Sequence, residues 1–215
     1  LGNKTVYSYD LCGNLLNETA PDGTQTAYAY DGSDRLIKKT LPNEGAYSYA
    51  YDKAGNITKV TDPTGLETDY EYDPAGNVTA LMRNKEQKTV YEYDSLNRIS
   101  KITDALGGKT SYAYDGAGNL TKVTYADGGT YRYRYDKCGR VTGITDPAGL
   151  YRELSYDTEG QLLTEGLGDA GITAAPENAG TAAGKLRVTA YSYDENGNLT
   201  GVTDPLGGKT AYGYD

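Results

Sequence analysis

The sequence predicts an all-β fold, an antiparallel meander of repeated β-hairpins curling into a spiral strip or partial shell. Three observations carry that expectation. Tyr-Asp recurs at Tyr9, Tyr30, Tyr51, Tyr72, Tyr93, Tyr114, Tyr135 and Tyr156, each 21 residues after the last, and again at Tyr193 and Tyr214 after one longer interval. Turn residues fall at two fixed places in the period. The segments between them are short and rich in Thr, Val, Ile and Tyr, the residues that suit a pleated surface. A fixed period of this length marks a repeat architecture, and its register leaves no place for a boundary, so residues 1–215 read as one array.

Counting from the repeat Asp as zero, position +3 is Gly at Gly13, Gly55, Gly76, Gly118, Gly139, Gly160 and Gly197. An Asp opening a turn bonds the backbone two residues on, and a Gly three residues later takes φ > 0. Asp52 with Gly55 and Asp115 with Gly118 therefore read as hairpin tips. Where Gly is absent, Asp34 and Asn97 stand in, the residue types that best tolerate the left-handed region after Gly. A second tip follows at Asp62-Pro63-Thr64-Gly65, Asp146-Pro147-Ala148-Gly149, Asp204-Pro205-Leu206-Gly207 and, without the proline, Asp104-Ala105-Leu106-Gly107. Proline there pre-sets φ at the second turn position.

Each period is thus strand, turn, strand, turn, and the chain should hold about nineteen strands. Laid flat at ~4.8 Å spacing they would span roughly 90 Å, and open sheets beyond ~10 strands curl, split or flatten. In the second strand Tyr49 with Tyr51, Tyr70 with Tyr72, Tyr91 with Tyr93, Tyr112 with Tyr114 and Tyr133 with Tyr135 have equal parity. They should form aromatic columns on one face, with Thr, Lys and Glu on the other. In the first strand the apolar residues sit at +5 and +8, which differ in parity, as in Ile57 and Val60. Either a bulge in every first strand brings both to the tyrosine face, or each face is partly covered; the need for curvature favours the bulge.

The interval from Tyr156 to Tyr193 is 37 residues, and the surplus falls at residues 166–186, whose Gly, Ala and Pro content reads as an inserted surface loop.

Composition narrows the function. The chain has 23 Tyr but no Phe, Trp or His, and its net charge is −9. Lacking His, it lacks the commonest general base and metal ligand. An acidic chain with no basic run is not built to neutralise a nucleic-acid backbone, and no apolar stretch approaches the ~20 residues of a membrane-spanning helix. Cys12 and Cys138 lie six repeats apart on one rim and read as free thiols. The row of repeat Asp residues could in principle perform acid–base chemistry or hold Ca²⁺, but turn capping explains the Asp-x-x-Gly spacing fully. No catalytic, cofactor-binding or metal-binding residue is assigned. The paired tyrosines read as core; among the rest, Tyr151, of opposite parity, and Tyr125, in a turn position, are the candidates to contact a ligand such as a glycan.

The run Tyr-Asp-x-x-Gly-Asn-Leu-Thr-x-Val-Thr-Asp-Pro-x-Gly, best seen from Tyr51 to Gly65 and Tyr193 to Gly207, closely resembles the YD-repeat, or Rhs-repeat, family. That resemblance covers nearly the whole chain. The family includes bacterial Rhs and wall-associated polymorphic toxins, the cocoon-forming components of insecticidal Tc toxin complexes, and the teneurin adhesion receptors. It implies a spiral of hairpins winding into a hollow shell, in the toxins around a C-terminal toxic domain released near a terminal Asp-Pro-x-Gly-Leu motif. Here Asp62 to Leu66 and Asp146 to Leu150 carry that motif inside ordinary turns, so cleavage is not carried over. The chain reads as shell wall, a fragment without plug, closing core or toxin. The expected partner is the remainder of its own polypeptide, with a secreted or cell-surface location. A carbohydrate-binding or adhesive array is the alternative.

Overall fold

The computed structural model describes residues 4–168 and 186–214. It contains two compact units, Leu1–Gly108 and Lys109–Asp215. The first comprises β1 (Val6–Tyr9), β2 (Leu15–Thr19), β3 (Gln25–Tyr30), β4 (Leu36–Thr40), β5 (Ala46–Tyr51), β6 (Ile57–Thr61), β7 (Glu67–Tyr72), β8 (Val78–Arg83), β9 (Gln87–Tyr93) and β10 (Ile99–Thr103). Each strand pairs antiparallel with the next. The second comprises β11 (Lys109–Tyr114), β12 (Leu120–Thr124), β13 (Thr130–Tyr135), β14 (Val141–Thr145), β15 (Tyr151–Tyr156), β16 (Leu162–Gly168), β17 (Arg187–Tyr193), β18 (Leu199–Thr203) and β19 (Lys209–Ala211). It is likewise a meander. The described residues hold no helix, and the expected number of strands is met.

The turns follow the predicted chemistry. Every +3 Gly has positive φ, from +77° at Gly139 to +95° at Gly55, and Asp34 and Asn97 follow at +58° and +59°. The second tips behave alike, with Gly65 at +87° and Glu44 in the Gly position at +66°. Between β8 and β9 the device changes: Asn84 and Lys85 both have positive φ, and the Glu86 amide donates to the Arg83 carbonyl at 3.1 Å. That is a mirror-image turn over Arg83–Glu86 within a three-residue connection, Asn84 to Glu86, between the paired Arg83 and Gln87.

Of the two readings of the +5 and +8 residues, the bulge is the observed one. In the β7–β8 hairpin Tyr72 faces Val78 and Glu71 faces Ala80, which leaves Thr79 as the extra residue. The shift restores parity, so Tyr70 faces Leu81. The same step occurs before Tyr51, Tyr93, Tyr114, Tyr135, Tyr156 and Tyr193. One residue per hairpin thus turns two apolar positions onto the tyrosine face and adds local twist.

The inserted segment begins later than predicted. Gly166, Leu167 and Gly168 are strand, facing Glu153, Arg152 and Tyr151 on one side, and Gly166 and Leu167 facing Val188 and Arg187 on the other. Their lack of β-branched residues hid them, since Gly weakens strand propensity without forbidding pairing. The loop expected beyond them falls at 169–185, outside the described residues.

Only Ala80, Val123 and Tyr151 are buried hydrophobic residues among those described, at 3%, 6% and 2% exposure. Each unit is therefore one sheet thick, with half-buried tyrosines on one face. Gly55→Ala, at φ +95°, should cost ~1–2 kcal/mol by urea denaturation. Gly32→Ala, in open space one turn position after Asp31 and without positive φ, should be neutral or slightly stabilising.

Candidate functional site

The repeat Asp carboxylates form the first candidate, and their oxygens are occupied by their own turns. Asp52 Oδ1 accepts the Asn56 amide at 2.9 Å and Oδ2 accepts Asn56 Nδ2 at 2.9 Å, while the Gly55 amide donates to the Asp52 carbonyl at 3.2 Å. Asp115 accepts the Ala117 and Asn119 amides at 2.9 and 2.8 Å and Asn119 Nδ2 at 3.0 Å. Beside Pro63, Asp62 accepts the Thr64 amide, the Thr64 hydroxyl and the Leu66 amide at 2.8, 2.6 and 3.0 Å before Gly65 closes the turn. The side-chain amide of the +4 Asn, then its backbone amide, hold Asp52, Asp73, Asp115 and Asp194 below the ordinary carboxylate range. At Asp94 and Asp136 the backbone amides of Arg98 and Arg140 do so first. A carboxylate so held is a poor base. Among the described residues no three metal-ligating groups converge.

The +4 residue also ties neighbouring tips together. Arg140 Nε donates to Asp136 at 2.7 Å, Nη1 donates to the Asp157 carbonyl of the next repeat at 2.8 Å, and its guanidinium lies 4.9 Å from the Tyr156 ring centre. Arg35 does the same with Asp31, the Asp52 carbonyl and Tyr51. Where the next tip lacks Gly, an Asn crosses instead: Asn14 donates to Asp34 Oδ1 at 2.7 Å, and Asn77 to Asn97 Oδ1 at 3.0 Å.

The tyrosine columns carry a hydrogen bond that parity and area alone did not reveal. The hydroxyl of the Tyr in Tyr-Asp donates to the +5 carbonyl of the preceding repeat: Tyr51 to Leu36 at 2.7 Å, Tyr72 to Ile57 at 2.7 Å, Tyr93 to Val78 at 2.8 Å and Tyr135 to Leu120 at 2.8 Å. The cause lies in the register. β6 pairs with β7 only from Lys59 onward, so the Ile57 carbonyl lies beyond the ladder and needs a donor. The signal was in the composition, since a column built for area alone could use Phe, and the chain has none.

The other column pairs with aliphatics: Tyr49 with Val60, Tyr91 with Ile102, Tyr112 with Val123 and Tyr133 with Ile144. Tyr114 faces Leu120. Burial raises the Tyr72, Tyr93, Tyr133 and Tyr135 hydroxyl pKa values. All ten column tyrosines are half-buried, with no second layer over them among the described residues.

The two rings proposed as ligand contacts differ. Tyr125 is 43% exposed and packs edge-on to Tyr131 at 6.1 Å, which stacks on Tyr133 at 6.3 Å. Tyr151 lies on the polar face, as its parity requires, yet it is buried, at 2% exposure. Its ring crosses Gly143, where an added Cβ would stand 3.0 Å from the hydroxyl, and the Arg134 guanidinium lies 5.9 Å from its centre. The expectation of an exposed ring at Tyr151 is thereby corrected: a missing side chain across the strand made room for it.

One polar notch interrupts the tyrosine face. Where Leu154 replaces a column ring, +8 is Glu165, which pairs with Arg152 at 3.1 Å and lies 3.4 Å from the Tyr191 hydroxyl. Cys12 and Cys138 are free and exposed.

The RHS Repeat family profile matches residues 9–46, 51–89, 93–130, 114–151, 135–171 and 187–215. Among solved structures, the chain superposes on the crystal structure of TcdB2-TccC3-Cdc42 with TM-score 0.63 and 16% identity, over 95% of this chain and 14% of that one. A Photorhabdus luminescens Tc holotoxin pore carrying a TccC3 mutation gives 0.57 and 16%, over 94% and 13%. TcdB2-TccC3 without its hypervariable C-terminal region gives 0.57 and 17%, over 93% and 13%. These identities show a shared fold, and the chain spans about a seventh of the length of the structures it matches. No curated protein matches the chain.

Two outcomes are expected from this geometry. Tyr93→Phe keeps the ring and strands the Val78 carbonyl, so it should cost about 1 kcal/mol in urea denaturation; Tyr91→Phe, in the other column, should cost less. Because the turn carboxylates have depressed pKa values in the folded chain, their contribution is present above the unfolded value of about 4. Thermal stability should therefore hold near neutrality and fall as pH drops through and below about 4.

Proposed function

Because the chain belongs to the RHS-repeat family, we propose that it is wall: a non-enzymatic structural segment which, in the full-length protein, helps build a hollow β-shell enclosing a C-terminal toxin or other polypeptide cargo. The observation that carries this reading is a one-layer sheet whose aromatic face is only half-buried. A face of that kind needs an enclosed space or a partner. On this reading residues 1–215 are one stretch of a longer array, and the bulge in every hairpin supplies the bend such a wall requires.

The turn chemistry supports a structural role over a catalytic one. Asp52, Asp62 and Asp115 are turn acceptors repeated along the chain, whereas an active site needs one shaped pocket with few converging groups. The partner is the remainder of the same polypeptide, the setting is secreted or cell-surface, and no cofactor is required. The glycan-binding alternative loses one of its two rings, since Tyr151 is packed away, and the other, Tyr125, is engaged with Tyr131.

Thiol labelling in the full-length parent, with Cys12 and Cys138 replaced by Ser, tests the reading. A thiol introduced by Tyr91→Cys, on the tyrosine face, should resist a polymer-coupled maleimide, while one introduced by Lys88→Cys, on the polar face, should react. In the 215-residue chain alone both should react. Equal reactivity of the two sites in the parent would rule out a closed wall.

A further inference from the structure

The hairpin of β12 and β13 departs from its repeat at two places that meet. The first position of the second turn is Asp at Asp62, Asp104, Asp146 and Asp204, but here it is Tyr125. The turn closes all the same: the Gly128 amide donates to the Tyr125 carbonyl at 3.0 Å, and Asp127, two residues on, accepts the Gly129 amide at 2.8 Å. With the acceptor moved to Asp127, the first position is released from capping. On the following strand the residue opposite +8 is Thr at Thr26, Thr68, Thr89 and Thr210, but here Tyr131 stands opposite Val123. Tyr47, opposite Lys39, also takes that place, but its second turn begins with Leu41. Tyr125 and Tyr131 touch, with ring centres 6.1 Å apart and planes at 80°. Tyr131 is also stacked on Tyr133, at 6.3 Å and 14°.

We propose that Tyr125 and Tyr131 are a site of oxidative cross-linking, where a one-electron oxidant, a haem peroxidase with hydrogen peroxide, joins the two phenols as a dityrosine. Two conditions coincide there. An oxidant must reach a phenol, and the radical it leaves must find a second ring before it meets another molecule. Tyr7, Tyr9, Tyr125, Tyr212 and Tyr214 are the exposed tyrosines among the described residues, and of these Tyr125, at 43%, is the one in ring contact with another tyrosine. Holding the two rings together makes their coupling a reaction within one molecule, which outruns encounters between molecules in dilute solution.

Each phenol gives up one electron and one proton to become a phenoxyl radical. The radicals join through the carbons ortho to their oxygens, and each of those carbons then passes its hydrogen to oxygen, so that both hydroxyls are restored. The two electrons and two protons released reduce hydrogen peroxide to two waters. The Tyr133 stack holds the Tyr131 ring in place, whereas Tyr125, on an exposed turn, can change rotamer to bring an ortho carbon to it. The new bond spans the turn and ties its first residue to β13. It supplies a covalent staple to a chain whose Cys12 and Cys138 are free thiols.

The test exposes the whole 215-residue chain, at low protein concentration, to a haem peroxidase and hydrogen peroxide. Trypsin cuts after Lys122 and Arg132, so both rings leave in one peptide, 123–132. That peptide should lose the mass of two hydrogens and gain the blue fluorescence of a dityrosine, while the chain still runs as a monomer on a denaturing gel. Tyr125→Phe and Tyr131→Phe keep the ring contact and remove a phenol, so each should abolish the change. Tyr133→Phe, which keeps the stack, and Tyr47→Phe should leave it intact. The proposal is overturned if peptide 123–132 keeps its mass under conditions that couple free tyrosine, or if dityrosine arises only between molecules. It is equally overturned if the variant at Tyr125 or at Tyr131 retains the product, or if Tyr133→Phe abolishes it.

Discussion

The bond from a tyrosine hydroxyl to a backbone carbonyl one repeat earlier is the constraint on which the rest of this structure depends. A bulge is needed to bring +5 and +8 to one face, and pairing with the following strand starts two residues late, leaving the +5 carbonyl without a ladder partner. A phenol at the right height satisfies it. The half-buried ring contributes on the order of 2–3 kcal/mol through area, against about 1 kcal/mol for the bond. Area therefore stabilises the sheet, while the hydroxyl fixes which strand the ring must lean on.

The rim works in parallel with the columns. Asp holds its own turn, and at Asn14, Arg35, Asn77 and Arg140 the +4 side chain reaches the next one, so these repeats are tied to their neighbours at the tip as well as along the strands. The substitutions are correlated across repeats. Asp34 and Asn97, which take a backbone conformation that Gly would adopt without strain, are the two that receive a side-chain amide from the preceding repeat. Local strain at one tip is offset by a contact that only a neighbour can provide.

Much of the fold was legible because period, turn residues and parity all point the same way. Asp-x-x-Gly located the tips, equal parity paired Tyr70 with Tyr72, and the clash between +5 and +8 left the bulge as one of two readings, the one that the need for curvature favoured. What escaped was non-local. The burial of Tyr151 depends on Gly143 in the adjacent strand, and no reading of the Tyr151 segment alone contains that fact. Gly166–Gly168 paired as strand against propensity because both neighbours were already in place. The tyrosine hydroxyl's partner lies 15 residues back, and the only hint was the choice of Tyr over Phe.

The Tyr193 hydroxyl donates to the Leu162 carbonyl, 31 residues away, at 3.0 Å, where its counterparts reach 15 residues back for the same contact. The cross-repeat bond is thus indifferent to how much chain separates its ends at the second turn. Such a scaffold has a built-in port: new sequence can enter there without resetting the register on either side. Evolution could vary the sheet by lengthening its second turns while the lattice beneath them stays the same.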